Sequence, residues 1–293
     1  MSLPSKPSPT TKTGTATADE VVRSNILVHS QMADSYNADE PHFRPENRAK
    51  VKRNLIGIVE RVGNHRMLDI GCGTGFVIDL LADEVEEIHG IDPTAAMLSK
   101  VDTSRGNITL HEGVAEKLPF EDASFDLVTA YSVLHHLADH RPALAEAARV
   151  LRPGGVLYVD LEPNRAFWLA IGDAEKMHRA SIDSLDEIVA REIRAVLHVA
   201  DDVEERFGIE PDVFQSAEYI KSQLGGFDAA GFEADARELG FESCTSTYEW
   251  FLGQGTLMHG SSPADAATVE SYLRRLLPVS APLFKYLRFE ATR

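Results

Sequence analysis

Three glycines at alternate positions, Gly71, Gly73 and Gly75, constrain this chain more than any other feature. They follow the short apolar run Met67-Leu68-Asp69-Ile70 and lead into the helix-like Phe76-Val77-Ile78-Asp79-Leu80-Leu81. Strand, tight glycine loop, helix is the order in which an α/β sheet brings its backbone up to a nucleotide. Glycine has no Cβ, so it takes φ > 0 freely and lets a ligand lie on the main chain. A chain built on such a turn must supply further strands joined by crossover helices.

The flanking sequence supplies them. Glu87–Asp92 and Phe125–Tyr131 read as strands, as do residues 108–111 and 156–161. Between them Pro93 opens a helix, residues 141–151 form another, and Arg152-Pro153-Gly154-Gly155 is a turn. Residues 242–251 and 284–291 add two β-rich runs, with helices at 227–239 and 263–277. Upstream, Val51, Leu55, Ile58 and Val59 give residues 46–62 a one-sided apolar spacing, with Pro45 at its start. This alternation predicts a Rossmann-like α/β fold, a mostly parallel seven-stranded sheet with helices on both faces. From 164 to 226 only helical patterns occur, among them the stripe Leu185, Ile188, Val189, Ile193, Val196 and Leu197. A helical insertion over 163–226 is therefore expected after the fifth strand, inside a single domain at 21–293. Residues 1–20, rich in Ser, Thr, Pro and Lys, read as a disordered tail.

Bulk properties exclude several classes. A net charge of −17, from 46 acids against 29 lysines and arginines, argues against nucleic acid or an anionic membrane as partner. The two cysteines, Cys72 and Cys244, form neither a disulfide framework nor a metal motif, which fits a reducing, cytoplasmic setting. No apolar run approaches the roughly 18 residues that span a bilayer, and no apolar signal segment opens the chain. No metal site is expected, and the oligomeric state is left open.

Asp69 decides between two ligands of a glycine-rich turn. A dinucleotide site wants a third glycine where this chain has Phe76, and Asp69 beside the loop would repel its diphosphate. An acid there suits a ligand with positive charge and no phosphate, such as S-adenosylmethionine with its ammonium and sulfonium. Asp92, closing the second strand, is placed to accept both ribose hydroxyls, each charge-assisted bond being worth about 1.5–3 kcal/mol.

Five blocks then occur in order: LDIGCGTG at 68–75, GIDPTAAML at 90–98, EKLPFEDASFD at 116–126, HHL at 135–137 and RVLRPGG at 149–155. Together they resemble the class I S-adenosylmethionine-dependent methyltransferases, within them the small-molecule branch that includes the quinone-biosynthesis enzymes. The resemblance weakens in the insertion and the C-terminal third. It implies that Gly71, Cys72, Gly73 and Gly75, beside Asp69, cradle the methionine portion and ribose. Asp92, followed by Pro93, would hold the ribose, Met97 would pack on the adenine, and Ala115 would meet its edge through backbone. The family often places an acid where this chain has Val114. Glu116 or water then takes the adenine amino group, or that contact is weaker. Tyr36 matches an aromatic that the family sets over the cofactor in an N-terminal arm, Arg44 could meet the cofactor's carboxylate, and Tyr131 faces the transfer site from the end of strand four.

The methyl acceptor must approach from the C-terminal edge of the sheet, where strands four and five end in Tyr131 to His136 and in Asp160 to Glu162. Histidine is the usual base near neutral pH. His136 is the first candidate and His135 the second, with Glu162 or Asp160 as the orienting carboxylate. The expected activity is methyl transfer to a small-molecule acceptor, with oxygen favoured over nitrogen or carbon. The insertion, with Phe167, Trp168, Leu169, Phe214, Tyr219 and Ile220, is expected to lid the acceptor or to use those side chains for its own packing. Two alternatives stay open: a protein that binds the same cofactor without methylating, and a nicotinamide-dependent oxidoreductase.

Overall fold

The structure, a computed structural model, describes residues 16–178, 187, 190–191 and 199–293. The expected stripe from Leu185 to Leu197 and most of the expected tail lie outside the described residues, as does the side chain of His178. The tail is shorter than expected at its end: Ala18, Asp19 and Glu20 form the first turn of helix α1 (Ala18–Met32). Thr17 and Glu20 explain why, because each side chain bonds the other's backbone N–H in a capping box.

A short helix α2 (Tyr36–Asp39) and a 3-10 turn at Pro41–Phe43 connect α1 to α3 (Pro45–Val62). Pro45 is the first helical residue of α3, and Val51, Leu55, Ile58 and Val59 are its buried face. The sheet follows: β1 (Arg66–Ile70), α4 (Phe76–Leu81), β2 (Glu87–Asp92), α5 (Ala95–Leu98), β3 (Ile108–Glu112), β4 (Phe125–Tyr131), α6 (Arg141–Val150) and β5 (Leu151–Pro163). Its strand order is β3-β2-β1-β4-β5-β7-β6, with β6 (Ser243–Phe251) and β7 (Phe284–Thr292) completing it. β1 to β5 are parallel, and β7 runs antiparallel to both neighbours. Every residue of β4 is buried, as a central strand covered on both faces must be. One core cluster lies on each face of the sheet, one around Leu68, Val128 and Phe289, the other around Leu55, Ile78 and Tyr158.

Two local features differ from the sequence reading. The turn at Arg152–Gly155 is part of β5, because Leu151 pairs with Phe125 while Gly154 and Gly155 exchange hydrogen bonds with Arg293. A further helix at Gln254–Gly260, not foreseen, follows β6.

Residues 164 and 227, which flank the expected insertion, meet at one place. Asn164 and Phe227 form a parallel bridge, Phe227 N–H donates to the Pro163 carbonyl, and Arg165 N–H donates to that of Phe227. Gly226 (φ 98°) makes this clamp possible, since a Cβ there would run into the Pro163 carbonyl. Between these ends the described helices are α7 (Arg165–His178), α8 (Val199–Phe207), α9 (Pro211–Ala217) and α10 (Tyr219–Leu224). α9 packs on α1 through Phe214, Ala217 and Val28, while Tyr219 and Ile220 enter the main core beside Val21. Phe167 is buried with Ile171, Trp168 and Leu252. Leu169 is exposed. α11 (Ala229–Glu238), α12 (Gln254–Gly260) and α13 (Pro263–Arg275) complete the chain's helices among the described residues.

Candidate active site

The glycine loop forms the floor of a cavity at the C-terminal edge of β1, β2 and β4, with about 950 Å³ of empty space, mouth included. Gly71 (φ 61°) lies so close to the loop after β4 that a Cβ there would sit 2.5 Å from Val133 Cγ2. Asp69, Gly71, Cys72 and Gly73 line the cavity with Asp92, Pro93, Met97, Val114, Ala115, Glu116, Tyr131 and His136. Tyr36 closes it from the N-terminal arm. Most of the residues read from sequence as cofactor contacts therefore share one cavity. Gly75 instead caps α4, packed against Val101, and Arg44 lines a second cavity rather than this one.

Asp92 is held open to a ligand. Its Oδ2 accepts from Gly73 N–H at 3.0 Å and its Oδ1 from Thr94 N–H at 2.8 Å, which leaves each oxygen a lone pair. Asp69 is 2% exposed and, among the described residues, accepts from Thr129 Oγ1 alone, at 2.6 Å. Burial pushes its carboxyl up to about 7, with the nearby Asp92 adding to the effect. Glu116 presents Oε2 buried and without a hydrogen-bond partner, and burial raises its pKa. A ligand bringing two hydroxyls to Asp92, an ammonium to Asp69 and an amino group to Glu116 would satisfy all three, so the residues fit S-adenosylmethionine. No lysine or arginine is among the described lining residues.

Phe76, which stands where a dinucleotide site has glycine, anchors an aromatic cluster. Its ring lies 4.7 Å from Tyr131, 4.8 Å from His42 and 5.2 Å from Phe43, centroid to centroid. His42 is 5% exposed, its Nδ1 has no hydrogen bond, and burial lowers its pKa to about 4. Sequence reasoning missed His42, as it missed Asn25, His29 and Phe43, which also line the cavity. A histidine in a three-residue turn carries no periodic signal, and its neighbours here come from other parts of the chain.

The two histidines after β4 divide. His135 is buried behind the cavity wall, with Nδ1 2.9 Å from Glu162 Oε2. Burial alone would lower its pKa, but Glu162 and Glu218 outweigh that and raise it. Glu162 is fully buried and also accepts backbone N–H groups from Val133, Leu134 and His135. His136 lines the cavity, and its Nδ1 lies 2.7 Å from the Ala217 carbonyl. A carbonyl only accepts, so Nδ1 carries the proton and Nε2 keeps its lone pair. Burial and the neighbouring His135 hold His136 well below the ordinary histidine value. Asn25 fixes the same turn by donating to the His136 carbonyl at 2.9 Å. Asp160 faces away from the cavity: its carboxylate bonds the Tyr158 hydroxyl and Leu161 N–H. His135, His136 and Glu218 approach one another closely enough to suggest a metal, their ligand atoms within 4.8 Å. The Lys221 ammonium, 2.7 Å from Glu218, already supplies that positive charge.

Comparison with known proteins agrees with this geometry. Residues 68–159 match the family described as a methyltransferase domain. The chain is 32% identical over 174 residues to 27-O-demethylrifamycin SV methyltransferase of Amycolatopsis mediterranei, covering 53% of this chain and 62% of that one. It is 36% identical over 108 residues to demethylmenaquinone methyltransferase of Renibacterium salmoninarum, covering 37% and 46%. The chain thus spans about half the length of the curated relatives it matches. A phosphoethanolamine N-methyltransferase structure from Haemonchus contortus shares the fold, with a TM-score of 0.53, 16% identity, and coverage of 94% of this chain and 59% of that one. Residues 68–159 thus match a methyltransferase domain, and the curated relatives that share this stretch are themselves named as methyltransferases. No helix among the described residues is long and apolar enough to cross a membrane.

Proposed function

We propose that this chain transfers a methyl group from S-adenosylmethionine to a small-molecule acceptor, with oxygen the favoured target and His136 the general base. The observation that carries the reading is one cavity in which the glycine loop, Asp69 and Asp92 meet without a lysine or arginine among the described lining residues. A diphosphate would sit there among carboxylates with no counter-charge, which speaks against a nicotinamide cofactor. The names of relatives, one an O-demethylrifamycin methyltransferase and one a demethylmenaquinone methyltransferase, support an organic acceptor.

When bound, the cofactor supplies an electrophilic methyl on a positively charged sulfur. The chain's residues do the rest. Asp92 would accept hydrogen bonds from the ribose hydroxyls and Asp69 from the ammonium, while Met97 and Glu116 would hold the adenine. Phe76, Tyr131, His42 and Phe43 wall the cavity with aromatic rings and exclude water. His136 Nε2 takes the acceptor's proton, and Nδ1 stays bonded to the Ala217 carbonyl, which stabilises the resulting imidazolium. His135 and Glu162 hold the turn that carries His136. Titration calorimetry with S-adenosylhomocysteine and with NADH tests the cofactor: binding of NADH and not of S-adenosylhomocysteine overturns the reading.

A further inference from the structure

A second, wider cavity adjoins the first. It has about 1770 Å³ of empty space, mouth included, and shares His42 and Tyr131 with the cofactor cavity as a common wall. Three cationic side chains converge on it from distant parts of the chain: Arg44, Arg191 and Lys285. In a chain of net charge −17 this is a local reversal. Two acids also line it, but Glu46 lies 3.8 Å from His259 Nε2, and burial and the nearby Glu218 raise the pKa of Glu40. Arg44 forms no ion pair among the described residues, whereas Arg191 donates to the Thr256 hydroxyl. Trp250 and Tyr286 add aromatic surface.

Backbone strain collects around the same two cavities. Non-glycine residues with positive φ are Ser132 (59°), which lines the cofactor cavity, Leu161 (60°) and Trp250 (57°), which line the second, and Ala123 (50°). Such a conformation is strained and persists where surrounding structure imposes it, commonly at ligand sites. At Leu161 the support is visible, because Asp160 Oδ1 accepts Leu161 N–H at 2.7 Å. The strained residues end β4 and β5 and distort β6, so each turns its side chain where a regular strand would not.

We infer that this second cavity is the acceptor site, and that it takes an aromatic acceptor carrying a carboxylate or comparable anion. The inference rests on the methyl-transfer reading for its chemistry and on the cavity itself for its ligand class. The anionic end is met by Arg44, Arg191 and Lys285, and the ring by Trp250. The reacting end passes the shared wall of His42 and Tyr131 into the cofactor cavity, which His136 lines.

Fluorescence titration of the protein saturated with S-adenosylhomocysteine tests this, with 3-hydroxy-2-naphthoate as probe and 2-naphthol as its uncharged counterpart. The naphthoate is expected to bind about tenfold or more tighter, the effect of one charge-assisted hydrogen bond. The double variant Arg44→Gln/Lys285→Gln is expected to abolish that preference and leave 2-naphthol and S-adenosylhomocysteine affinities unchanged, the latter also certifying the fold. Arg191→Gln gives an independent partial loss. A preference that survives all three substitutions, equal binding of the two probes, or competition of the naphthoate with S-adenosylhomocysteine overturns the inference. Absence of S-adenosylhomocysteine binding overturns the cofactor reading instead, while charge-dependent naphthoate binding remains measurable without it.

Discussion

Glu162 and His135 are locked together twice, through the His135 ring at 2.9 Å and through its backbone N–H at 3.0 Å. One carboxylate at the end of β5 thereby sets the shape of the turn after β4, since Val133 and Leu134 also donate to it. The sequence reading had offered Glu162 as orienter of a catalytic histidine. The structure gives it His135, and His136 follows because the turn that bears it is fixed.

Glu162→Ala leaves three backbone donors and a buried imidazole without partners. Loss of a buried pair of this kind costs about 3–5 kcal/mol, so chemical denaturation should report a fall of that size. His135 has a raised pKa, so its share of stability is full below the ordinary histidine pKa and is lost as pH rises through the folded value. The melting temperature of the parent protein should therefore fall on the alkaline side of the histidine range. In Glu162→Gln that dependence should shrink.

If Asp92 holds the ribose as proposed, Asp92→Ala removes one or two charge-assisted hydrogen bonds to it. Affinity for S-adenosylhomocysteine should drop roughly 10- to 200-fold by calorimetry. An unchanged dissociation constant would remove Asp92 from the cofactor site.

Asp69→Asn should separate stability from binding. Burial raises the Asp69 pKa to about 7, so the folded state prefers the protonated acid, and the ionised form costs stability as pH rises from about 4 towards 7. The variant should then melt higher than the parent at pH 8 and almost equally at pH 4. Cofactor binding has the opposite sign, because an ammonium needs the carboxylate. Parent affinity should rise with pH up to about 7, and the variant should bind weakly with a flat profile.

His136→Gln keeps a polar side chain beside the Ala217 carbonyl and removes the basic Nε2. Turnover should fall by about 10²- to 10⁴-fold, the usual range for a general base, with S-adenosylhomocysteine affinity unaltered. A loss confined to cofactor binding would make His136 part of the cavity wall alone.

Much of this was legible before any coordinates. The strands Glu87–Asp92 and Phe125–Tyr131 fall on the residues read from local pattern, and Asp69, Asp92 and Met97 meet where the glycine loop places them. Those features are local: a strand, its loop and its helix carry their own periodicity. Arg44 escaped because its destination depends on how the 3-10 turn at Pro41–Phe43 directs the chain, which no spacing encodes. The second cavity escaped for a related reason. Its walls come from residues as distant as Arg44, Leu161, Trp250 and Lys285, brought together by the antiparallel β7 lying between β5 and β6.

The N-terminal arm covers the cofactor cavity with Val21, Asn25, His29, Tyr36, His42 and Phe43, yet all six precede the segment that matches the methyltransferase family. It touches the glycine loop through one side-chain bond, Thr74 to Asn37, and the turn after β4 through another, Asn25 to the His136 carbonyl. The matched domain therefore supplies the floor of the cavity and the arm its cover, so a substitution in the arm can reshape the cavity while the glycine loop keeps its backbone.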